Sequence, residues 1–313
     1  MELALMTEPQ LGGTYDDLAD SARWAEDAGL VAFARSDHYY WSGEPADATD
    51  AFVSLGGVAR ETERIRLVVL VSPLTFRHPA VMAKSAATLD QMSGGRFDLG
   101  IGTGWMEAEH TAFGLDFPEW SERFARLEEA LPYVSAALRD ERAAFDGSFY
   151  AIDASVRPLA PDVGLIVGGR GPRRTPRLAA RWADEYNTFV RPATELAPKI
   201  AVLREAAEEF GRDPASVRVS IMGGALVGTD RADYLDRLAA EASERGKEPD
   251  ELEALVAERG MPHGTPEQAH ELLADLEAIG VDRWYVQVIP HDGIPCPLPC
   301  RSRPEVMPKA IIG

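Results

Sequence analysis

Short apolar segments alternate with longer amphipathic segments along most of this chain, and this alternation constrains the fold more than any other feature of the sequence. Residues 65–71 are rich in β-branched side chains and predict a buried strand, whereas residues 15–28 carry apolar side chains at helical spacing and end before Gly29. The eight predicted strands comprise residues 3–6, 31–34, 65–71, 97–101, 163–167, 185–190, 217–227 and 283–289.

Each predicted strand except the last is followed by at least one predicted helix. Because adjacent parallel strands need a helical crossover, this order predicts an α/β fold with a parallel sheet, and eight units fit a closed (β/α)8 barrel. The alternative is a doubly wound open sheet of a nicotinamide dehydrogenase, which usually has a glycine-rich dinucleotide turn after its first strand. Residues 7–13, Thr-Glu-Pro-Gln-Leu-Gly-Gly, lack that spacing, so we favour the barrel.

The helices are predicted at residues 15–28, 52–63, 79–92, 120–142, 173–183, 196–210, 231–245, 249–258 and 265–280. Between strands four and five the chain is unusually long, and a glycine turn at Gly147 predicts a small hairpin there. We expect residues 1–293 to form one domain and residues 294–313 to form an irregular tail rich in proline. This tail carries Cys296 and Cys300, which lack a companion His or Cys cluster and therefore indicate two thiols rather than a metal site.

The charge and hydropathy of the chain exclude several classes of function. The 313 residues carry a formal net charge of −19, which disfavours duplex DNA and anionic membranes as partners. No apolar run reaches the ~18 residues of a membrane span. The amino-terminal residues lack the basic and long apolar regions of a signal peptide, so we expect a cytoplasmic protein.

In a barrel of this type, functional groups gather where strands end and the following loops begin. Asp37 and His38 follow strand two, where they suit either a cofactor or substrate wall or a structural role, and the sequence leaves both open. Arg77 and His78 follow strand three, and we favour bonding to a carboxylate over anion binding. After strand four, residues 100–104 have glycine at alternate positions, which would let the backbone approach a ligand closely.

The loop after strand five gives the strongest signal for a ligand. It contains Gly168, Gly169, Arg170 and Gly171 and leads into a predicted helix, and two further arginines follow at positions 173 and 174. Free N–H groups and the helix dipole favour an anion at such a terminus, so we expect a phosphate site rather than a solvated basic loop. The chain has neither the zinc-protease motif nor the P-loop motif of nucleotide-binding proteins. No metal site is expected.

Several of these segments together resemble one family. They are Arg-Ser-Asp-His-Tyr at 35–39, Thr-Phe-Arg-His-Pro at 75–79, Ser-Gly-Gly-Arg-Phe-Asp-Leu-Gly-Ile-Gly-Thr-Gly-Trp at 93–105, Ile-Val-Gly-Gly-Arg-Gly at 166–171 and Ala-Asp-Glu-Tyr-Asn at 183–187. In this order they are similar to the bacterial luciferase-like superfamily and, within it, to the actinobacterial oxidoreductases that depend on coenzyme F420. The resemblance implies a (β/α)8 barrel with an insertion after strand four, and a flavin (FMN) or the deazaflavin F420 at the C-terminal mouth.

The resemblance also implies roles for individual residues. Gly168, Gly169, Arg170 and Gly171 would hold the cofactor phosphate, and Thr103 and Gly104 would line the ring system. The Leu70–Val71 peptide lies where members of the family often have a non-prolyl cis bond in a bulge beneath the ring. The positions of Asp37 and His38 match residues near the ring, and in the sugar-phosphate dehydrogenase branch the matching histidine is catalytic. Trp105 departs from that branch, which has an acidic residue at this position, so oxidation of a sugar phosphate is not expected.

We therefore expect an oxidoreductase that uses reduced F420 for hydride transfer to a small organic substrate, with His38 as a proton donor or a ring-positioning group. Two alternatives stay open: an FMN-dependent monooxygenase supplied by a separate reductase, and a flavin-binding barrel without turnover. The family resemblance also predicts a homodimer. Neither nucleic acid nor a membrane is an expected partner.

Overall fold

A computed structural model describes residues 1–41, 44–45, 47–139 and 143–288 of the chain. Eight parallel strands close into a barrel in which neighbours in the sequence are neighbours in space, except that the last strand also pairs with the first. The barrel strands are β1 (Glu2–Thr7), β2 (Ala32–Arg35), β3 (Arg66–Pro73), β4 (Phe97–Gly102), β5 (Gly164–Gly168), β6 (Glu185–Phe189), β7 (Arg218–Gly223) and β8 (Arg283–Val288). The predicted α/β barrel is confirmed, and the open-sheet alternative is wrong.

Ten helices surround the barrel among the described residues. They are α1 (Tyr15–Asp27), α2 (Ala51–Glu61), α3 (Pro79–Ser93), α4 (Glu107–Phe113), α5 (Trp120–Arg139), α6 (Arg174–Trp182), α7 (Ala193–Glu209), α8 (Arg231–Glu244), α9 (Pro249–Glu258) and α10 (Pro266–Ala278). Their amino termini follow ordinary capping rules, since Thr14 and Thr265 form capping boxes and Asp50 caps α2. All the predicted helices are present, with ends that move by three residues or fewer within the described residues.

Strand seven is shorter than predicted. The chain leaves the barrel after Gly223, and residues Leu226–Val227 instead pair in parallel with His263–Gly264. The apolar run from 217 to 227 therefore serves two sheets, which sequence patterning does not separate. The predicted hairpin is present as antiparallel strands Ala143–Asp146 and Ala151–Ala154.

Apolar side chains of the strands face two separate layers. Phe33, Leu67 and Leu99 pack outward against the helices. The interior of the barrel is filled by a second cluster comprising Ala4, Met6, Ala32, Ala34, Val68, Leu70, Ile166, Met222 and Tyr285. Because the interior is packed, a ligand can reach the strands only at the two ends of the barrel.

The N-terminal end of the barrel holds a buried ion cluster around Arg283. Its guanidinium donates to Glu185 Oε2 at 3.0 Å, to the Tyr285 hydroxyl at 3.0 Å and to Glu2 Oε2 at 2.9 Å. Arg218, closer to solvent, contacts the same oxygen of Glu185 at 3.5 Å. Burial raises the pKa of Glu185, although the charge of Arg283 opposes that shift. A cavity of about 500 Å3 opens beside this cluster.

Within the described part of the chain, no helix combines the length and apolar composition that crossing a membrane requires. The same residues contain no group of three His, Cys, Asp or Glu side chains arranged to bind a metal ion. The expected tail at 294–313, with Cys296 and Cys300, lies outside the described residues. So do Ile289, at the predicted end of strand eight, and residues 140–142, at the predicted end of the helix after strand four.

Candidate active site

Strand β3 has a bulge at the C-terminal mouth of the barrel. The Leu70–Val71 peptide bond is cis, as the resemblance implied, and the pairing of β3 with β4 shifts register between Val69 and Ser72. At this bulge the side chain of Val71 lies against three glycines. An added Cβ would come within 2.8 Å of Val71 at Gly100, 2.9 Å at Gly102 and 2.7 Å at Gly168.

These contacts change the interpretation of the glycines in β4. Gly100 and Gly102 make room for Val71, a role that the sequence did not indicate, while close approach of this backbone to a ligand stays a prediction. The third, Gly104, has φ +76° and lies just beyond the strand, where an added Cβ would approach Thr75 Oγ1 at 2.9 Å.

His38 and Glu109 form a buried pair at the same mouth. His38 Nδ1 lies 2.8 Å from Glu109 Oε1, and the backbone N–H of Tyr39 donates to Glu109 Oε2 at 3.2 Å. The side chain of His38 is 13% exposed and that of Glu109 only 1%. A carboxylate this deeply buried needs a charged or hydrogen-bonding partner, and His38 provides one.

The surroundings of His38 favour its charged form. Burial alone lowers the pKa of His38, but the hydrogen bond and charge of Glu109, with smaller effects of Glu8 and Asp37, outweigh burial and raise that pKa above its usual value. A histidine with a raised pKa can carry a proton near neutral pH and deliver it to a reacting group.

Two indole rings flank the approach to His38. Trp105 contacts the imidazole edge-on with ring centroids 5.5 Å apart, and Trp41 contacts Trp105 in the same manner at 6.4 Å. Trp105 is 56% exposed and Trp41 40% exposed. Large apolar side chains with this much exposed surface, next to a buried ion pair, offer an apolar face to a ligand.

The carboxylate of Asp37 is bound by neighbouring side chains rather than exposed at the mouth. Its carboxylate accepts hydrogen bonds from Ser72 Oγ at 2.7 Å and from Arg77, which also binds Asp50 and the hydroxyl of Tyr39. The favoured interpretation of Arg77 is confirmed, because the guanidinium is bound to carboxylates. His78 caps α3 by accepting a hydrogen bond from the backbone N–H of Ala80. The role of Asp37 at a cofactor stays a prediction.

The loop after β5 joins the barrel to α6 without a side-chain cap. Arg173 occupies the cap position but makes no side-chain hydrogen bond there, so the backbone N–H groups of Arg174 and Thr175 lack helical partners. An added Cβ at Gly169 would lie 3.0 Å from Thr175 Oγ1, and one at Gly171 would lie 3.3 Å away. The glycines therefore allow the loop to fold closely over the helix terminus.

The arginines of this loop differ in their surroundings. The guanidinium of Arg170 lies 4.3 Å from the centroid of the Phe189 ring at the end of β6, and Arg170 is exposed. Arg174 is paired with Glu128 at 3.2 Å on the outside of the barrel. Arg170 is thus the better positioned of the two to meet an anion at the mouth.

Thr103 and Gly104 belong to a loop that is fixed by long-range contacts. Arg123 donates to the carbonyl oxygen of Gly104 at 2.6 Å, and His110 Nε2 lies 2.6 Å from Thr75 Oγ1. These contacts tie α5 and α4 to the ends of β4 and β3. Both residues lie at the mouth, as expected, while their contact with a cofactor ring stays a prediction.

Two acidic residues of this site were not predicted from the sequence. Glu109 lies on α4, a two-turn helix that was not predicted, and only its sequence proximity to Trp105 could have drawn attention to it. Glu8 directly follows β1 and is buried, with hydrogen bonds from Gln10 and from Gln287 at 2.7 Å. The signal for Glu8 was its place at the end of a barrel strand, which we used only to exclude a dinucleotide turn.

The chain is similar to named proteins of known sequence. An F420-dependent glucose-6-phosphate dehydrogenase of Nakamurella multipartita is 37% identical over 203 residues, 63% of this chain, and the match spans only 59% of the relative's length. A protein of the same name from Nocardia farcinica is 30% identical over 300 residues, covering 88% of this chain and 89% of the relative.

The barrel also superposes on solved structures. A monooxygenase from Streptomyces bottropensis matches with a TM-score of 0.81 at 21% identity, over 100% of this chain and 97% of that one. At this identity the likeness concerns the fold alone. The family model described as luciferase-like monooxygenase matches residues 2–283, which is nearly the whole described chain. The chain therefore belongs to the luciferase-like monooxygenase family.

Proposed function

We propose that the protein is an oxidoreductase that uses coenzyme F420 to exchange a hydride with a small organic substrate. The observation that carries this proposal is the buried His38–Glu109 pair at the same barrel mouth as the bulge in β3 and the glycine-rich loop. A proton-transfer group beside a cofactor pocket is what carbonyl reduction or alcohol oxidation requires. The names of the relatives in Nakamurella and Nocardia support F420 as the cofactor.

The residues at the loop after β5 suit an anionic cofactor tail. The uncapped terminus of α6 offers two backbone N–H groups, and its dipole favours negative charge. Arg170 adds a cation in a chain of net charge −19. Gly169 and Gly171 would keep side chains out of the phosphate position, and Gly168, which makes room for Val71, would contribute its backbone. Leu70, Val71, Thr103 and Gly104 would line the ring, with Asp37 nearby.

The protein's own groups would bind, orient and protonate. Bound F420 supplies or accepts the hydride. Glu109 holds His38 through Nδ1, so Nε2 is the nitrogen left to give a proton to a developing alkoxide or to take one from an alcohol. Trp105 and Trp41 would cover the reacting groups and exclude water.

We propose an organic substrate with an apolar face rather than a sugar phosphate. The indole of Trp105 lies beside His38 and that of Trp41 lies beside Trp105, and both offer apolar area and no positive charge. Arg77, the nearby cation, is already bound to Asp37 and Asp50. A dianionic phosphate would leave these groups poorly matched.

Titration of the purified protein with F420 and with FMN tests the cofactor. We expect F420 binding, turnover of F420 with a carbonyl or alcohol substrate, and weaker binding of FMN. Tight FMN binding without F420 binding would favour the FMN-dependent monooxygenase with a separate reductase. Binding of either cofactor without turnover of any electron acceptor would favour the non-catalytic barrel.

A cytoplasmic homodimer is part of the same proposal. Val53 on α2 and Val81 on α3 are apolar side chains exposed by 77% and 55%, and these two helices pack against each other. A second copy would remove this apolar surface from water. Light scattering coupled to gel filtration would give twice the 34.1 kDa chain mass, and a monomer mass would refute the dimer.

A further inference from the structure

We propose that Glu109 is the positioning residue of this site: it keeps a proton on His38 Nδ1 and thereby leaves Nε2 to exchange a proton with the substrate. This inference rests on the proposed function for its catalytic meaning. The contact itself is independent of any cofactor, because it joins two side chains of the chain at 2.8 Å.

The two oxygens of Glu109 bind two consecutive residues. One accepts from the imidazole of His38 and the other from the backbone N–H of Tyr39. The carboxylate thus fixes both the ring and the backbone that carries the ring. Since a carboxylate only accepts hydrogen bonds, it selects the ring form with hydrogen on Nδ1.

Helix α4, which carries Glu109, is fixed in place by buried contacts. The neighbouring residue, His110, is fully buried, with Nδ1 2.7 Å from the carbonyl oxygen of Met106 and Nε2 2.6 Å from Thr75 Oγ1. The helix ends at Gly114 in the left-handed conformation. Glu109 is therefore attached to the end of β3 through the residue beside it, and a positioning group needs this rigidity.

The other charges near His38 come from different elements. Glu8 follows β1 and is hydrogen-bonded to two amides, and Asp37 at the end of β2 is compensated by Arg77. Trp105 contributes an aromatic edge and no charge. Glu109 is the acidic group in direct contact with the ring, so its removal should have the largest effect on proton binding by His38.

The test compares Glu109→Gln with Glu107→Gln, an exposed residue two positions away on the same helix. Histidine NMR titration of the protein without cofactor gives the pKa of His38, with His38→Gln identifying the resonance. In Glu109→Gln we expect proton affinity of His38 to fall by about tenfold or more. In Glu107→Gln it should not change.

Activity supplies a second readout. Glu109→Gln should lower kcat by about tenfold or more, with little change in KM, and should move the limb of the pH profile that belongs to His38 to lower pH. Glu109→Asp, which keeps the charge, should restore part of the proton affinity. It also keeps the test decisive if Glu109→Gln fails to fold.

The outcomes separate the two proposals. Either of two results overturns the positioning role, whatever the cofactor. The first is an unchanged His38 titration in folded Glu109→Gln. The second is a folded Glu109→Asp in which His38 has the same proton affinity as in Glu107→Gln and kcat is not reduced. A changed titration in a protein that neither binds nor turns over F420 retains the positioning of His38 and overturns the proposed function alone.

Discussion

The two ends of the barrel both bury carboxylates, but they compensate them in different ways. At the N-terminal end, Glu185 is bound by Arg283, whose guanidinium is charged at every physiological pH. At the C-terminal mouth, Glu109 is bound by His38, whose charge changes near neutral pH. The charge that compensates Glu185 is therefore permanent, whereas the group that compensates Glu109 can gain and lose a proton. We call the N-terminal end of the barrel the permanent end and the C-terminal mouth the titrating end.

This difference explains why one end suits stability and the other chemistry. The Arg283 cluster links the first residues of β1, β6 and β8 and closes the barrel where its strands begin. His38 lies on the loop after β2 and Glu109 on the short helix α4 after β4, and such connecting segments can present a side chain to a ligand. A titrating group is of use only where a substrate can reach it. The exposed indoles of Trp105 and Trp41 lie on that approach.

The largest expected effect tests the permanent end. Arg283→Met leaves Glu185 buried without its main cation, so the free energy of unfolding should fall by about 3–5 kcal/mol. Arg218→Met removes a more exposed contact to the same oxygen and should cost less than about 1 kcal/mol. Chemical denaturation measures both. An equal loss of unfolding free energy in the two variants would mean that burial of Arg283 does not determine its contribution to stability.

The second prediction concerns the titrating end. His38→Gln keeps a hydrogen-bond donor for Glu109 but removes the exchangeable proton, so kcat should fall by about 10²-fold or more while cofactor affinity stays the same. Steady-state kinetics and a cofactor titration measure this. If kcat persists in His38→Gln, proton transfer at this site belongs to another group.

A smaller effect is expected at the glycine-rich loop. In Gly169→Val the new side chain would meet Thr175, which an added Cβ already approaches at 3.0 Å, and the loop would be displaced from the terminus of α6. We expect F420 affinity to fall by about tenfold, which corresponds to about 1.4 kcal/mol. Gly171→Ala introduces a smaller side chain with a looser contact to Thr175 at 3.3 Å, so it should lower the affinity less. Equal affinity in both variants and the native protein would place the phosphate elsewhere.

The barrel could be predicted because its signals are local. Helix α9 spans Pro249–Glu258 as predicted, since proline at its first position and charged residues in its first turn mark where it begins. Strand seven was overextended because the apolar pattern continues past Gly223 into a second, two-residue strand. Patterning reports burial, and both strands are at least partly buried.

The site could be predicted only in part, because its contacts join distant segments. His38 and Glu109 are separated by 71 positions in the sequence and meet only when the loops after β2 and β4 fold over the same mouth. Helix α4 has two turns and little apolar periodicity, so it gave no signal. The glycines of β4 were noticed, but the side chain that they accommodate, Val71, lies on another strand.

The smallest expected effect is the pH dependence of stability at the titrating end. Because the pKa of His38 is raised in the folded protein, His38 binds its proton more tightly there than in the unfolded chain. Its contribution to stability is therefore fully present below the unfolded pKa, about 6.5, and is lost as pH rises through the higher folded value. The difference in unfolding free energy between the native protein and His38→Gln should thus shrink as pH rises from about 6 to about 8. Urea denaturation at several pH values measures this difference. A difference that grows with pH would mean that burial, and not Glu109, dominates the proton affinity of His38.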